Sequence, residues 1–401
     1  LPGTVKKDVV VGLDIGTSGI AVAVLNRSSV AIQEPLGFGF CSSMIMEKGF
    51  IGDSEAAAYN VKKALDEALT AAGVPFTTAY VNVDGPELVI RHGSVKQAIT
   101  RRQVVDARDL IKLQQHLCET VLPEDVLSII QLDNIRFYID GEYVFKPQGC
   151  RGRELGLSST VLAAPRRQMD LIWQCLRNAG LPPTTETVVG ALAVAQGVLS
   201  GVERKLGVIC VDLGAGMTKV VFINHNMLYK LSIFPAGAGN ITADLAVGLH
   251  TTLEAAEKVK KEYGLGLIAG DVHVPNISGS GYNTVPGSLV HKIIKSRIEE
   301  ILDFVKEFIE ELDLGASLPG GIVLTGGGAL LNGLTEVAQE YWLMPVRIGF
   351  NSLPGEEAPN EDAYRYTTAI GLASWGTGQV YPGMRQKAEK GFKGRIKSWF
   401  R

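Results

Sequence analysis

The chain has 401 residues, too many for one ordinary core, so two or more domains are expected. An apolar fraction of 46% against 20% charged residues excludes wholesale disorder, and a net charge of −3 with a pI near 6.1 excludes a whole-molecule basic field for nucleic acid. The five cysteines (Cys41, Cys118, Cys150, Cys175, Cys210) contain no CxxC pair and read as reduced thiols, and no charged-then-apolar leader opens the chain. The strongest apolar stretch, 187–202, is short, Gly-rich and carries a Gln, so the body is expected to be soluble and cytoplasmic.

The first element is "VVVGLDIGTSGIAVAVLN" (9–26): an apolar strand, Asp14, the turn Gly16-Thr17-Ser18, and a second apolar strand. β-Branched runs around a Gly turn predict a β-hairpin. Glycines let backbone N–H groups approach phosphate oxygens, and a hydroxyl adds a donor. Asp14 shares the sign of a phosphate, so it is expected to hold a hydrated Mg²⁺ or to orient an attacking water. A tight turn with no ligand would look the same in one copy.

Residues 80–165 read as a module of their own. "AYVNVDGPELVIRHG" alternates like a strand, "ITRRQVVDARDLIKL" predicts a helix after a Thr100 cap, and "VLSIIQLDNIRFYIDGEYV" predicts strand–turn–strand. "ETVVGALAVAQG" (186–197) predicts a helix of small residues, with Glu186 at its start, where the dipole favours a carboxylate.

The hairpin plan then returns in "LGVICVDLGAGMTKVVFIN" (206–224), with Asp212 ahead of Gly214, Ala215, Gly216, Met217 and Thr218. Two such copies predict a polyphosphate clamped between two lobes. "GGIVLTGGGALLNGL" (320–334) predicts a strand, the triple glycine Gly326-Gly327-Gly328, and a helix start carrying Asn332, where a flat ligand can approach backbone. "YRYTTAIGLASWG" (364–376) predicts a second small-residue helix.

A polar tether follows, and then "GFKGRIKSWFR" (391–401). Phe392, Ile396, Trp399 and Phe400 fall within an arc of roughly 100° on a helix. Lys393 borders that arc, and Arg395, Lys397 and Arg401 lie further round. This is the pattern of a basic amphipathic helix lying in a membrane interface; docking onto the protein's own body is the alternative.

The order of these elements resembles the actin/Hsp70/sugar-kinase ATPase superfamily: phosphate loop, connecting helix, second phosphate loop, adenosine loop, second connecting helix. Within it, the inserted module resembles subdomain 1C of the FtsA family, and Pro147, Gly149 and Gly152 approximate its Pro-x-Gly-x-x-Gly turn. "PAGAGNITADLAVGLHTTLEAAEKVKKEYG" (235–264) resembles that family's Gly-Asn stretch, at Gly239 and Asn240, and its Ala-Glu-x-x-Lys helix. Glu257 and Lys260 suit a carboxylate for ribose hydroxyls and a cation near the base, although a plain surface ion pair would look alike. "MPVRIGFNSL" (344–353) resembles the strand after the adenosine loop.

The resemblance implies an α/β, actin-like two-lobed ATPase fold with an FtsA-type 1C insertion and a C-terminal amphipathic helix. Subdomain 1A would take 1–79 and 166–202, 1C 80–165, 2A 203–239 and 319–376, and 2B 240–318, with a linker at 377–390 and the membrane helix at 391–401. It implies ATP and Mg²⁺ as cofactors, Asp14 and Asp212 holding the metal through water, and Glu186 helping to position the hydrolytic water. It further implies FtsZ, by its C-terminal peptide on 2B, other divisome proteins through 1C, head-to-tail self-association and an anionic phospholipid membrane as partners. No nucleic-acid partner is expected. The site would be the inner face of the cytoplasmic membrane at the division site, with weak ATPase activity at most. Met217 stands where the superfamily has a hydroxyl, which removes one phosphate donor. A PilM-like pilus-assembly protein is one alternative, disfavoured by the tail. A sugar or acetate kinase is another, for which no catalytic base stands out, and an Hsp70 chaperone is disfavoured because no substrate-binding domain is read after 376.

Overall fold

The computed structural model describes residues 9–26, 35–42, 46–47, 49–99, 103–122, 126–312, 318–351 and 361–377. The chain divides into two compact units, the larger built from the segments up to 86, 171–225 and 229–377, and the smaller from 87–170 with 226–228.

In the larger unit, apolar β-branched runs form ten principal strands. The first five are β1 (Val9–Ile15), β2 (Gly19–Asn26), β3 (Pro35–Ser42), β4 (Ala79–Val83) and β5 (Glu186–Val189). The next five are β6 (Val208–Leu213), β7 (Thr218–Asn224), β8 (Met227–Phe234), β9 (Ile322–Thr325) and β10 (Val346–Ile348). They make two sheets, ordered β3-β2-β1-β4-β5 and β8-β7-β6-β9-β10. The second order is the first with five added to every number, so one design occurs twice. In both, an antiparallel hairpin (β1/β2, β6/β7) supplies the first pair; β3 adds to β2 antiparallel, and β4, β5, β9 and β10 join on the other side in parallel. Strands buried on both faces explain why β1, β2, β6 and β7 read as continuous apolar runs instead of alternating.

Helices cover these sheets. α1 (Ser54–Ala72) is N-capped by Asp53, whose carboxylate accepts from the Glu55 and Ala56 N–H groups, and it packs its Ala-rich face on β3. α2 (Gly190–Val198) and α7 (Thr367–Thr377) are the two small-residue helices. They cross so closely that a β-carbon on Gly371 would lie 2.1 Å from the Ala193 carbonyl oxygen. α3 (Ala238–Gly248), α4 (Leu253–Tyr263) and the long α5 (Gly287–Glu310) lie between β8 and β9. α5 buries Val290, Ile294, Ile298, Leu302 and Val305 along one face, against Ile241, Leu245 and Trp342 of the same core. α6 (Leu334–Trp342) follows β9.

The smaller unit is an antiparallel four-stranded sheet ordered 89–98, 154–165, 127–139, 142–144. The helix Ala107–Val121 packs on it through Leu113 and Leu117, closing a core with Phe137, Leu155, Leu157 and Val161. Among the described residues, no helix is long and apolar enough to cross a membrane.

Three local expectations are corrected. The helix expected after Thr100 opens at Ala107, because Asp106 and Asp109 form a reciprocal capping box there; Thr100 lies outside the described residues. The helix expected from Glu186 opens at Gly190: Glu186–Val189, rich in β-branched residues, is instead a strand in parallel register with Tyr80–Val83. The triple glycine does not run directly into a helix. A short 3₁₀ turn at Gly327–Leu330 intervenes, and α6 starts only after Gly333. The expected amphipathic helix at 391–401 lies outside the described residues.

Candidate functional site

The two hairpin turns close in the same way. The Gly16 N–H donates to the Gly19 carbonyl at 3.0 Å, and the Gly214 N–H donates to the Met217 carbonyl at 3.0 Å. They also meet. A β-carbon on Gly216 would lie 2.5 Å from the Thr17 hydroxyl oxygen, so only glycine lets the turns come this close. The second turn is braced by the start of α3, where the Ala238 and Gly239 N–H groups donate to the Gly214 and Ala215 carbonyls at 2.9 and 2.8 Å. The first turn is braced by Asn82, whose Oδ1 accepts from the Ile15 N–H at 2.7 Å and whose amide donates back to the Ile15 carbonyl at 3.3 Å.

Around the turns lies a cavity of about 840 Å³, of the size small-molecule sites take. Asp14, Gly16, Thr17 and Ser18 line it from the first hairpin, and Asp212, Gly214, Ala215, Gly216 and Met217 from the second. Gly326, Gly327 and Gly328 line it further along, with Gly239, Glu257 and Lys260. Glu257 and Lys260 are paired at 2.6 Å. The Thr242 hydroxyl donates to Glu257, and the Lys260 ammonium donates to Thr242 Oγ1 and the Ala238 carbonyl. Burial would raise Glu257, but Lys260 and Thr242 hold it below the usual carboxylate range.

Four of the expected site residues do not line the cavity. Thr218 is buried, and its hydroxyl donates to the Ala236 carbonyl at 2.7 Å, which ties β7 to the chain entering α3. Asn240 caps α3, its Oδ1 accepting from the Gly237 N–H at 2.9 Å. Asn332 is exposed, and its carbonyl accepts from the Leu265 N–H. Glu186 opens β5.

Lys219, Asp84 and Asn82 also line the cavity and do not appear in the sequence reading. Lys219 Nζ lies 3.0 Å from Asp212 Oδ2 and 3.2 Å from Asp84 Oδ2. The other Asp84 oxygen accepts the Ala191 N–H at 3.1 Å, so Asp84 is the carboxylate that serves the start of α2. Burial pushes Asp14 up to about 7, with Asp84 and Asp212 adding to the rise and Lys219 and Thr368 opposing it. Burial alone would lower Lys219, but Asp212, Asp84 and Asp14 hold its proton well above the ordinary lysine range. A signal was present in each case: Lys219 directly follows the second turn, and Asn82 and Asp84 are polar residues at the end of an apolar strand.

The family model described as "Cell division protein FtsA" matches residues 209–371. The cell division protein FtsA of Bacillus subtilis (strain 168) is 29% identical over 377 residues, covering 92% of this chain and 83% of that protein. Among solved structures, the PilM–PilN type IV pilus biogenesis complex matches with a TM-score of 0.63 and 16% identity, over 92% of this chain and 98% of that one. MreB5 of Spiroplasma citri bound to ADP matches with a TM-score of 0.54 and 14% identity, over 98% and 99% of the two chains. Such low identities carry the fold alone, and that fold is actin-like. With a duplicated sheet design, paired Gly-rich turns and a match to FtsA along nearly its whole length, this chain is similar to the FtsA cell-division proteins.

Proposed function

We propose that this chain is a nucleotide-binding, self-assembling division protein that ties FtsZ to the inner face of the cytoplasmic membrane at the division site. The observation that carries the reading is the meeting of the two hairpin turns at one cavity, Gly216 against Thr17, in an FtsA relative. ATP is the ligand. Its phosphates lie along the turns at 16–18 and 214–217, and its adenosine lies by Gly326–Gly328, with the Glu257–Lys260 pair at the ribose and base. The bound ADP of the MreB5 neighbour supports a nucleotide here. Hydrolysis is weak. The Mg²⁺ expected through Asp14 and Asp212 has to be weighed against Lys219, whose ammonium already pairs with Asp212 and Asp84.

Head-to-tail filaments, the FtsZ C-terminal peptide on 240–318, and other divisome proteins on 80–165 complete the reading. The tail at 391–401 is the anchor. Each large apolar side chain buried in the interface contributes roughly 1.5–3 kcal/mol at most, and each cation near an anionic leaflet about 1 kcal/mol. Ordering so short a helix opposes this. One tail therefore binds weakly and reversibly, and many tails on one filament bind tightly through effective concentration.

The test is co-sedimentation with anionic vesicles, comparing the full chain with one ending at Gly391, with and without ATP. Pelleting of the full chain alone, strengthened by ATP, is expected. If neither chain pellets, the membrane tether is wrong and a PilM-like reading gains.

A further inference from the structure

The acidic wall of the cavity already contains a cation. Asp14 ends β1, Asp84 follows β4 and Asp212 lies on β6, so three separate strands bring three carboxylates to one place. Hairpin pairing sets Lys219 on β7 directly opposite Asp212. Its Nζ then lies 3.0 Å from Asp212 and 3.2 Å from Asp84, with the Lys219, Asp84 and Asp212 side chains only 10%, 2% and 9% exposed. Asp84 has its second oxygen committed to the Ala191 N–H. Mg²⁺ demands a near-octahedral shell, keeps several waters and needs carboxylate lone pairs free to receive them. Here one ammonium takes an oxygen of Asp212 and an oxygen of Asp84, and a backbone N–H takes the second oxygen of Asp84. The carboxylates as arranged do not fit a divalent cation.

We propose that Lys219 is the resident cation of this site: its ammonium pairs with both Asp212 and Asp84 and takes the place a divalent ion would have between those carboxylates and a polyphosphate, so that the nucleotide binds metal-free. The inference rests on the reading of the cavity as a nucleotide site. Lys260 and Lys261 on α4 also line the cavity, so positive charge reaches an incoming nucleoside polyphosphate from the protein itself. The arrangement has a cost in chemistry. A lysine is a single charge that cannot deliver a metal-activated water, which agrees with binding and release of nucleotide rather than rapid hydrolysis.

Two measurements on the full chain test this. The first is fluorescence titration with mant-ADP in excess Mg²⁺ and in excess EDTA. The two affinities are expected to agree within about threefold, and weakening by about tenfold or more in EDTA overturns the proposal. The second needs no nucleotide: Mn²⁺ titration followed by electron paramagnetic resonance on wild type, Asp212→Asn, Lys219→Met and the Lys219→Met/Asp212→Asn double variant. Wild type and Asp212→Asn are expected to bind Mn²⁺ equally weakly. Lys219→Met should gain a site about tenfold tighter, which the double variant loses. Tight Mn²⁺ binding by wild type that Asp212→Asn abolishes overturns the proposal, and this comparison stands even if Lys219→Met fails to fold. Absence of mant-ADP binding under both conditions overturns the nucleotide reading instead, and the Mn²⁺ comparison still decides the role of Lys219.

Discussion

Gly216 and Thr17, roughly 200 residues apart in sequence, stand so close that a β-carbon on Gly216 would come within 2.5 Å of the Thr17 hydroxyl oxygen and 3.0 Å of its methyl. The contact is between the tips of two hairpins of identical design, and it sets how narrowly the cavity closes around a ligand.

Gly216→Ala is therefore expected to force the tips apart and to cost about 1–3 kcal/mol, the usual range for overpacking. Thr17→Ala in the same chain removes the hydroxyl and methyl and should recover most of the loss. Denaturant unfolding of the two single variants and the double variant measures the coupling. Additive effects would mean that the tips do not touch.

The crossing of α2 and α7 makes a second steric prediction. At Gly371 a β-carbon would meet the Ala193 carbonyl oxygen at 2.1 Å, and that oxygen belongs to helix backbone that cannot swing aside. Gly371→Ala should cost about 3 kcal/mol despite the high helix propensity of alanine. A cost below about 0.5 kcal/mol in urea unfolding would sink the close-packed crossing.

Asp133, in the smaller unit, is fully buried, with the Asn134 N–H donating to its carboxylate at 2.6 Å. Burial pushes it up to about 7, outweighing the hydrogen bonds of Asn134 and Gln131. A raised carboxylate takes up its proton more readily folded than unfolded. The stability that Asp133 contributes should therefore fall as pH rises from about 4 to about 7, by no more than about 4 kcal/mol, and then level off. Urea unfolding across that range checks the slope; Asp133→Asn should make it shallower and leave the share of Asp14, which burial raises into the same range.

The Glu203–Arg347 pair has the opposite sign. Arg347 Nε lies 2.6 Å from Glu203, and the Ser200 N–H donates to the same carboxylate at 2.7 Å. Burial works to raise Glu203, but Arg347 and Ser200 prevail and hold it at about 2. Its contribution is present above the ordinary glutamate range and is lost as pH falls from about 4.5 toward 2. With Arg347 half exposed, Arg347→Met should cost about 1 kcal/mol at neutral pH and flatten that acid limb. An unchanged acid limb in thermal melts of the variant would show that the pair contributes nothing.

Sequence by itself determined the local geometry of this protein. The β-branched runs around Gly16 and Gly214 specify two hairpins, and the small residues of 190–197 and 367–376 specify two helices able to cross closely, because each property belongs to a short window of neighbouring side chains. Capping was less legible: the helix opens behind Asp106, which shares a reciprocal bond with Asp109, and strand pairing with β4 claimed Glu186–Val189 from the helix. Only the tertiary structure decided what the cavity contains. Asp84 and Lys219 are 135 positions apart and become neighbours because β4 joins β1 in one sheet, Lys219 faces Asp212 in the other, and the Gly216–Thr17 contact brings the two hairpins together. No window of sequence contains that proximity. Charge pairing across a cavity is a property of through-space distance, and the fold alone sets it.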